Sequence, residues 1–528
     1  MLPEHFISKL YHQVKPEWKA AFFSAFLSGF LIHLYRLTNP LLTWDSLYNF
    51  HDPQNTIHLG RCFLTIACGI SSYYDLPLVN GLLSLIYLAL TTVCLTEIFG
   101  LKGRLMILLT AGITVTFPAV ASTLLYMYTA DGYFLAMLCA ALAVLLTLKF
   151  RWGWLPGLFL LGFSYGSYQA YVSYAVMLIL MWAILNLTLS ERSLQDFFRQ
   201  LGCFLLMGAG GTLLYAILNK LLSLIQGVNA SSYQGISAMK IPGPSEFLRA
   251  IPSALTEFAY FFFGPLDAYD LFKVLNIFLF LLLAAVLSFT VYAARLYKKP
   301  ARLVLTGCCV LLLPFGCCMI YFVSSGVRYH MLMMMGFSLI YLLPLLLLER
   351  LGQALSEIRR PAASSSAISN ANLNLSHSMP LLFWAGFLIT SLCIYNFALT
   401  DNIAYLYAHR SYEETYALTL QMADRMEQTE GFENVSRLCI LGHMDGHDDI
   451  DISLPPKMTG IKEGILTTEQ NHFAAFFTTY LNIPLDGCSE EESEALKISP
   501  TVQAMDIWPG AHSVQIEGDT VIIKIGED

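Results

Sequence analysis

The sequence predicts an all-α membrane protein that crosses the bilayer many times and ends in a small α+β domain. Apolar residues make up 56% of the 528 residues and charged residues only 13%, whereas water-soluble domains carry about 25% charged residues. Residues 401–528 hold 7 Lys/Arg and 23 Asp/Glu, which gives −16, and the remaining 23 Lys/Arg and 15 Asp/Glu give +8. We therefore predict a membrane body over residues 1–400, an acidic domain over 401–528, and no basic surface for nucleic acid.

Eleven segments are apolar and close to the 20 or so residues that a spanning helix needs. The shortest of them, 154–167, is also rich in glycine. Residues 62–76 are apolar but too short to span, so we expect them to lie at the interface. The first span follows three lysines and lacks a small-residue cleavage site, which indicates an uncleaved anchor. The eleven segments are 18–37, 78–98, 104–123, 132–149, 154–167, 170–189, 201–224, 274–294, 302–323, 330–348 and 380–399.

The distribution of lysine and arginine predicts the orientation, because these residues are enriched in cytoplasmic loops. With the N-terminus inside, 16 of the 23 Lys/Arg of the membrane body fall on the inner side and 7 on the outer side. An odd number of spans then places the acidic domain outside. The connecting segments of this topology are a first outer loop (38–77), a long outer loop (226–273) and a Ser/Asn/Ala-rich inner linker (350–379).

The acidic domain shows a mixed pattern of helices and strands. Apolar periodicity predicts helices near 411–430 and 467–481 and strands at 437–441 and 520–525. Cys439 and Cys488 could form a disulfide if the domain is extracytoplasmic, but the sequence gives no distance between them. The run GHMDGHDDID (442–451) could hold a cation. Its spacing fits neither an EF-hand nor an HExxH site, so a solvated acidic loop is the favoured interpretation.

The first outer loop carries the densest group of charged residues beside an apolar segment, in NPLLTWDSLYNFHDPQNTIHLGRC (39–62). Carboxylates beside a bilayer are costly unless they are hydrated, paired or used. Asp45, next to Trp44, is a candidate functional carboxylate or a helix cap, and Asp52 is a second candidate or part of an ordinary turn. Arg61 follows Gly60 and could bind an anionic phosphate or extend towards lipid headgroups.

Further candidates fall on the same predicted side of the membrane. Asp131 lies in YMYTADG with Tyr128, and it could cap the next helix or bind a ligand. Tyr168 and Gln169 lie in SYQAY; the aromatic residues suit an interfacial belt, but aromatic faces also stack on sugar rings. Arg328 follows the ninth span. Helix centres with few ionisable groups, and polar groups gathered on one side, favour an enzyme over a transporter.

Three stretches carry a resemblance to a known family. NPLLTWDSLYNF with the following GRC-FLTIACGISSYYDL, TFPAVASTLLYMYTADGYFLAML and SYGSYQAYVSYA resemble the bacterial Gtr type II O-antigen glucosyltransferases, which are polytopic GT-C enzymes. The resemblance covers residues 20–190 and continues more weakly towards 350. The family pattern reads Gly-Arg-Trp, whereas here Cys62 follows Arg61, so an aromatic contact is missing or is supplied by Phe63.

The resemblance implies glucosyl transfer at the outer face of a bacterial cytoplasmic membrane. The implied donor is a polyprenyl-phosphate glucose, and the acceptor is a surface polysaccharide or its lipid-linked precursor. Carried over by position, Asp45 is the catalytic base and Asp52 a second carboxylate. Arg61 and Arg328 are candidates for the donor phosphate. The residues expected to contact substrate are Trp44, Tyr128, Asp131, Tyr168 and Gln169.

Besides a membrane-anchored binding protein in which the acidic domain is the functional part, two alternatives stay open from the sequence. Another polyprenyl-linked sugar could be the donor, because nothing in the chain reads the pattern of sugar hydroxyls. A lipid-linked sugar flippase or polysaccharide exporter is the other, although it would need charges near the midplane or matched halves. A divalent cation could assist the leaving phosphate, but no motif requires one.

Overall fold

The computed structural model describes residues 2–190, 192–231, 243–264, 271–324, 327–358, 371–443, 458–461 and 464–526. Contacts divide the chain into two compact units. The membrane unit comprises Met1–Thr38, Pro53–Asn402 and Ser453–Thr459, and the C-terminal unit comprises Asn39–Asp52, Ile403–Ile452 and Gly460–Asp528. The first outer loop is therefore shared, since its residues 39–52 belong to the C-terminal unit.

Helices dominate the chain, and this confirms the predicted fold class. In the part that the structure describes, nine helices are long and apolar enough to cross a membrane: Pro16–Thr38, Pro77–Phe99, Arg104–Leu125, Met127–Lys149, Tyr171–Leu189, Leu194–Gln226, Leu271–Ala293, Met335–Ala354 and Met379–Gln428. The first helices in chain order are α1 (Pro3–Gln13), α2 (Pro16–Thr38), α3 (Leu64–Cys68), α4 (Pro77–Phe99), α5 (Arg104–Thr116), α6 (Pro118–Leu125), α7 (Met127–Lys149) and α8 (Trp154–Ser167). They are followed by α9 (Tyr171–Leu189), α10 (Leu194–Gln226), α11 (Pro244–Phe263), α12 (Leu271–Ala293), α13 (Pro300–Leu311), α14 (Leu313–Cys317), α15 (Met335–Ile358) and α16 (Ala371–Gln428).

Two of the eleven segments are not among these nine long apolar helices. The segment 302–323 is divided into α13, α14 and a 3₁₀ turn at Met319–Phe322. Pro314 lies at the start of α14, where its missing N–H and fixed φ interrupt the preceding helix. The other segment, 154–167, forms α8 of 14 residues, about 21 Å long at 1.5 Å per residue and thus shorter than the roughly 30 Å hydrocarbon core.

Two predicted connecting segments contain helix. The long outer loop (226–273) includes α11, a 20-residue helix that carries Pro252 in its interior. At the other predicted segment, the inner linker (350–379), α15 ends at Ile358 and α16 begins at Ala371. Residues 359–370 lie outside the described residues. The predicted boundary at residue 400 falls inside α16.

At one end of the membrane unit, basic residues surround Glu97, the third residue from the end of α4. Lys15 Nζ donates to Glu97 Oε2 at 2.9 Å, and Lys149 at the end of α7 also pairs with Glu97. Close by in sequence, the amides of Lys102 and Gly103 donate to a Glu349 side-chain oxygen at 3.1 and 2.9 Å. The start of α2 and the ends of α4, α7 and α15 therefore meet here, and we name this the basic end.

The opposite end brings together the end of α2, the end of α6 and the starts of α4 and α7. Arg36 Nε donates to the carbonyl of Leu124 at 2.8 Å, and Asn80 Nδ2 donates to that of Met127 at 3.1 Å. The spans α2, α4, α5–α6 and α7 thus alternate in direction, as the sequence predicts. Which end faces the cytoplasm stays a prediction.

The C-terminal unit contains a four-stranded sheet in the order β2-β1-β4-β3. β1 pairs in parallel with β2 and β4, and β3 pairs with β4 antiparallel. The predicted strands at 437–441 and 520–525 are confirmed as β1 and β4, and the predicted helix near 467–481 is confirmed as α17. The elements are β1 (Arg437–Leu441), α17 (Gln470–Leu481), β2 (Asp486–Gly487), α18 (Glu490–Lys497), α19 (Pro500–Gln503), β3 (Val514–Glu517) and β4 (Thr520–Lys524).

Apolar side chains cover both faces of this sheet. On one face Leu438 and Val521 pack with Met422 of α16 and Phe473 of α17. On the other face Cys439 and Cys488 share a small buried cluster with Ile522. Two-sided burial explains why β1 and β4 read as continuous apolar runs instead of alternating patterns.

Candidate functional site

The two units divide the predicted site residues into two groups. Arg61, Tyr128, Asp131, Tyr168, Gln169 and Arg328 belong to the membrane unit, and Trp44, Asp45 and Asp52 belong to the C-terminal unit.

Arg61 lies against two tyrosine rings. Its guanidinium carbon is 5.4 Å from the ring centroid of Tyr168 and 5.7 Å from that of Tyr133. The two rings stack on each other with centroids 4.1 Å apart and planes inclined by 16°. A guanidinium within about 6 Å of a ring face is attracted by the π-system, typically by 0.5–1 kcal/mol at an exposed site. The planar charged group is therefore oriented by aromatic surfaces, and we name these three residues the arginine–tyrosine cluster.

The backbone before Arg61 is held by side chains from α10 and from the residue pair that precedes α9. Gln169 Nε2 donates to the carbonyl of Leu59 at 2.9 Å, and Tyr215 Oη donates to that of Gly60 at 3.0 Å. Gly60 has φ +70°, and a Cβ placed there would lie 2.5 Å from Gln169 Nε2 and 2.7 Å from Tyr215 Oη. Only glycine combines this left-handed backbone with this close approach. Gln169 thus positions the loop that carries Arg61.

The residues after Arg61 are buried in helix packing. Cys62 is 6% exposed, and burial raises the pKa of its thiol to about 11. The Phe63 ring stacks on Phe163 of α8 with centroids 5.5 Å apart, and its amide donates to the carbonyl of Gly166 at 2.7 Å. Phe63 therefore anchors the loop to α8. Whether it also contacts substrate stays a prediction.

Asp131 and Tyr128 lie in the first two turns of α7. Asp131 is 1% exposed, and within the described residues its carboxylate makes no ion pair; Ser71 is its polar neighbour. Tyr128 is 8% exposed and meets the ring of Tyr126 edge-on with centroids 6.4 Å apart. A carboxylate buried without a cation in a membrane span is costly and is a functional candidate for that reason.

Arg328 is exposed and lies on the connection between α14 and α15. The next residue, Tyr329, is fully buried, and its hydroxyl accepts a hydrogen bond from the amide of Ile320 at 3.2 Å. Its ring lies 4.8 Å from that of Tyr321, whose hydroxyl donates to Glu257 of α11 at 3.1 Å. Tyr329 thus fixes the backbone from which Arg328 projects.

In the C-terminal unit Asp45 begins a single 3₁₀ turn, Asp45–Leu47. The Thr43 and Ser46 hydroxyls are 3.0 Å apart, and Asn49 Nδ2 donates to the Asp45 carbonyl at 2.7 Å. Leu42, before the turn, and Leu47, its last residue, pack with Leu466 and with Phe476 of α17. The turn is therefore anchored on both sides by apolar contacts, and Asp52 lies half-buried at the end of the same segment.

Three further residues of the membrane unit were not selected by the sequence reasoning. Tyr133 completes the arginine–tyrosine cluster. The aromatic run YMYTADGYF is the sequence signal that could have identified it. Tyr215 lies within an apolar span and gave no local signal. Asp401 is fully buried, at 0% exposed. No hydrogen bond to its carboxylate is found in the described part of the chain. The sequence signal for Asp401 is its position, since it is an acid just after the last apolar segment, 380–399.

No group of three or more His, Cys, Asp or Glu side chains suitable for a metal ion occurs among the described residues. The acidic run 442–451 lies outside them from residue 444 onward.

The fold and the arginine–tyrosine cluster define a multi-pass membrane protein with a cationic site built between its helices. The family model for glucosyl transferase GtrII matches residues 34–343, which is more than half of the chain and includes the whole cluster. The chain belongs to this family and is a glycosyltransferase. The match confirms the family that its sequence resembles. Searches of curated proteins and of solved structures found no match.

Proposed function

We propose that the protein transfers glucose from a polyprenyl-phosphate donor to a cell-surface polysaccharide or to its lipid-linked precursor. The observation that carries this proposal is the arginine–tyrosine cluster, which lies within the region matched by the glucosyl transferase family. A lipid donor suits a site between membrane helices, because the polyprenyl tail can stay among apolar surfaces while the phosphate meets a fixed cation.

Arg61 is the residue that we assign to the donor phosphate. A guanidinium presents several N–H donors in a planar fork that matches two phosphate oxygens. Stacking on Tyr133 and Tyr168 reduces the orientational freedom of this fork, so less entropy is lost when the phosphate binds. Arg328 is exposed on a backbone fixed by Tyr329, and we assign it to the same phosphate.

Asp45 is the proposed catalytic base, with Asp52 as a second carboxylate. An acceptor hydroxyl is a poor nucleophile, and a carboxylate within hydrogen-bond reach can accept its proton as the new bond forms. The acceptor oxygen then bonds to the anomeric carbon of glucose while the bond from that carbon to the phosphate oxygen breaks. The electron pair leaves with the polyprenyl phosphate, and attack opposite to the leaving group inverts the anomeric carbon.

The positively charged groups would act on the leaving group. Negative charge on the bridging oxygen grows as the bond to the anomeric carbon breaks, and a preorganised cation stabilises that charge more in the transition state than in the ground state. The remaining candidates, Trp44, Tyr128, Asp131 and Tyr168, are proposed to contact substrate. Gln169 acts through the Arg61 loop.

We place the enzyme in a bacterial cytoplasmic membrane with its N-terminus inside and its C-terminal unit outside. The basic end supports this orientation, since it collects Lys15, Lys102 and Lys149, which belong to the set expected on the cytoplasmic side. The arginine–tyrosine cluster would then open towards the outer face, where a surface glycan is assembled.

The decisive test is transfer by the purified full-length protein in lipid nanodiscs. Polyprenyl-phosphate [¹⁴C]glucose is supplied with surface polysaccharide isolated from a strain that lacks the gene. We expect radiolabel in the polysaccharide and release of polyprenyl phosphate in equal amounts. Transfer from a mannosyl or aminoarabinosyl donor instead would replace the proposed sugar, and movement of the donor across vesicles without transfer would favour a flippase.

A further inference from the structure

The turn that carries Asp45 is packed on one helix of the C-terminal unit. Leu42 and Leu47 contact Phe476 of α17 and the preceding Leu466, and all four are at most 5% exposed. This apolar contact holds the middle of α17 against the turn. His472, in the first turn of the helix, lies beside Tyr48.

Polar and aromatic groups surround Tyr48, the residue that follows this turn. The Tyr48 ring lies 5.7 Å from the ring of His472, at an angle of 47°. Glu469 directly precedes α17, and its carbonyl accepts a hydrogen bond from the amide of His472 at 2.9 Å. The Asp45 carbonyl accepts one from the amide of Tyr48 at 3.2 Å, so the backbone places both acids beside the pair of Tyr48 and His472. Burial raises the pKa of Tyr48 to about 12, and the two carboxylates contribute to the rise. Tyr48 nevertheless keeps 48% of its surface exposed.

We propose that Tyr48, Glu469 and His472 form a subsite for the acceptor saccharide beside Asp45. The C-terminal unit then takes part in selecting the glycan that receives glucose. This inference rests on the proposed function, because it assigns the substrate that Asp45 would activate.

The chemistry of the subsite fits a neutral saccharide. An exposed phenol ring can pack against the apolar C–H face of a pyranose, as aromatic side chains do with other amphipathic partners. Carboxylates accept hydrogen bonds from vicinal hydroxyls, and these bonds are stronger than those between neutral groups. The carboxylate of Glu469 repels a phosphate, so the surface of Tyr48, Glu469 and His472 suits the uncharged acceptor and not the donor headgroup. An uncharged sugar satisfies both the ring and the acids.

The test compares acceptor and donor kinetics of full-length variants in nanodiscs, with the polysaccharide from the gene-deletion strain as acceptor. We expect Tyr48→Leu, His472→Ala and Glu469→Gln each to raise the acceptor KM roughly tenfold, while the donor KM changes less than about twofold. Tyr48→Phe keeps the ring and should stay near wild type. Ile498, an exposed apolar side chain of the same unit at 75%, gives the control Ile498→Ala, which should leave the acceptor KM unchanged.

Failure of the subsite and failure of the proposed function give different results. If the wild type transfers glucose and Asp45→Asn does not, but the three subsite variants keep the wild-type acceptor KM, the subsite is wrong and the function stands. If the wild type transfers no glucose, the proposed function itself is wrong. Equal rises in donor and acceptor KM would indicate a general structural effect and would also contradict the subsite.

Discussion

Tyr133 and Tyr168 stack face to face with ring centroids 4.1 Å apart, although they come from α7 and from the connection between α8 and α9. Their contact creates the aromatic surface against which Arg61 lies. Three separate segments of the membrane unit thus build one cationic site. Changes that keep the charge but alter the geometry should therefore reveal what the stacking contributes.

Replacing Arg61 by lysine tests that contribution. Lysine keeps the positive charge but cannot form the planar fork or stack in the same way. Loss of about 1 kcal/mol per ring contact predicts a donor KM raised on the order of tenfold or more for Arg61→Lys, and a larger rise for Arg61→Ala. Initial rates at varied donor and saturating acceptor measure it. A donor KM equal to wild type in Arg61→Lys would show that stacking has no part in donor binding.

Gly60→Ala tests the loop geometry. The added Cβ would lie 2.5 Å from Gln169 Nε2, and the positive φ of +70° disfavours a side chain, at a cost of roughly 1–2 kcal/mol. We expect at least tenfold lower transfer with the protein still folded, as measured by activity and thermal unfolding. Gly202→Ala and Gly208→Ala are controls, because a Cβ at either position meets nothing within 4 Å. Full activity in Gly60→Ala would contradict the proposed positioning of Arg61.

Arg328→Ala tests the second phosphate contact. Arg328 is exposed, whereas Tyr329 beside it is buried, so removing the arginine should leave the fold intact. We predict weaker donor binding, seen as lower product formation at limiting donor and partial recovery at high donor. The measurement is the dependence of the transfer rate on donor concentration. A curve identical to that of the wild type would show that Arg328 does not bind the donor phosphate.

The pair Cys439 and Cys488 offers a test of the orientation. Leu438 and Gly487 are register partners in parallel strands, and the amide of Cys488 donates to the Leu438 carbonyl at 3.0 Å. Cys439 and Cys488 are the next residues along these two neighbouring strands. Neighbouring strands lie about 5 Å apart, which is within the Cα–Cα range for a disulfide. If the C-terminal unit is outside the cytoplasm, exchange with a disulfide-donating oxidoreductase should join them. Alkylation of cells before lysis, followed by peptide mass spectrometry, measures the bond; fully reduced thiols would argue for a cytoplasmic location.

The sequence predicted the fold class, the family and the first spans because apolar length and loop charge are local properties. Its errors arose where a local break was decisive, as at Pro314, which divides the predicted span 302–323. The strands β1 and β4 were predictable from their apolar runs, whereas β2, with only two residues, carries too little pattern to detect.

The candidate site was predictable only in part. Arg61, Tyr168 and Gln169 were selected from short motifs, and the structure brings them to one loop and one cluster. Tyr133 and Tyr215 were not selected, because an aromatic residue in an apolar span reads as lipid-facing or packed until its neighbours are known. The assignment of residues 39–52 to the C-terminal unit depends on contacts across more than 400 residues of sequence, as between Leu47 and Phe476, and no local pattern reports these.

Asp45→Asn, assayed for glucose transfer in nanodiscs at saturating donor and acceptor, tests the central claim most directly. The amide keeps the size of the side chain but cannot accept the acceptor proton as a base, so the rate should fall by roughly 10²–10⁴ while expression and donor binding persist. Asp424→Asn, the same change at an exposed acid of α16, is the control and should keep the wild-type rate. Wild-type turnover in Asp45→Asn would contradict the account.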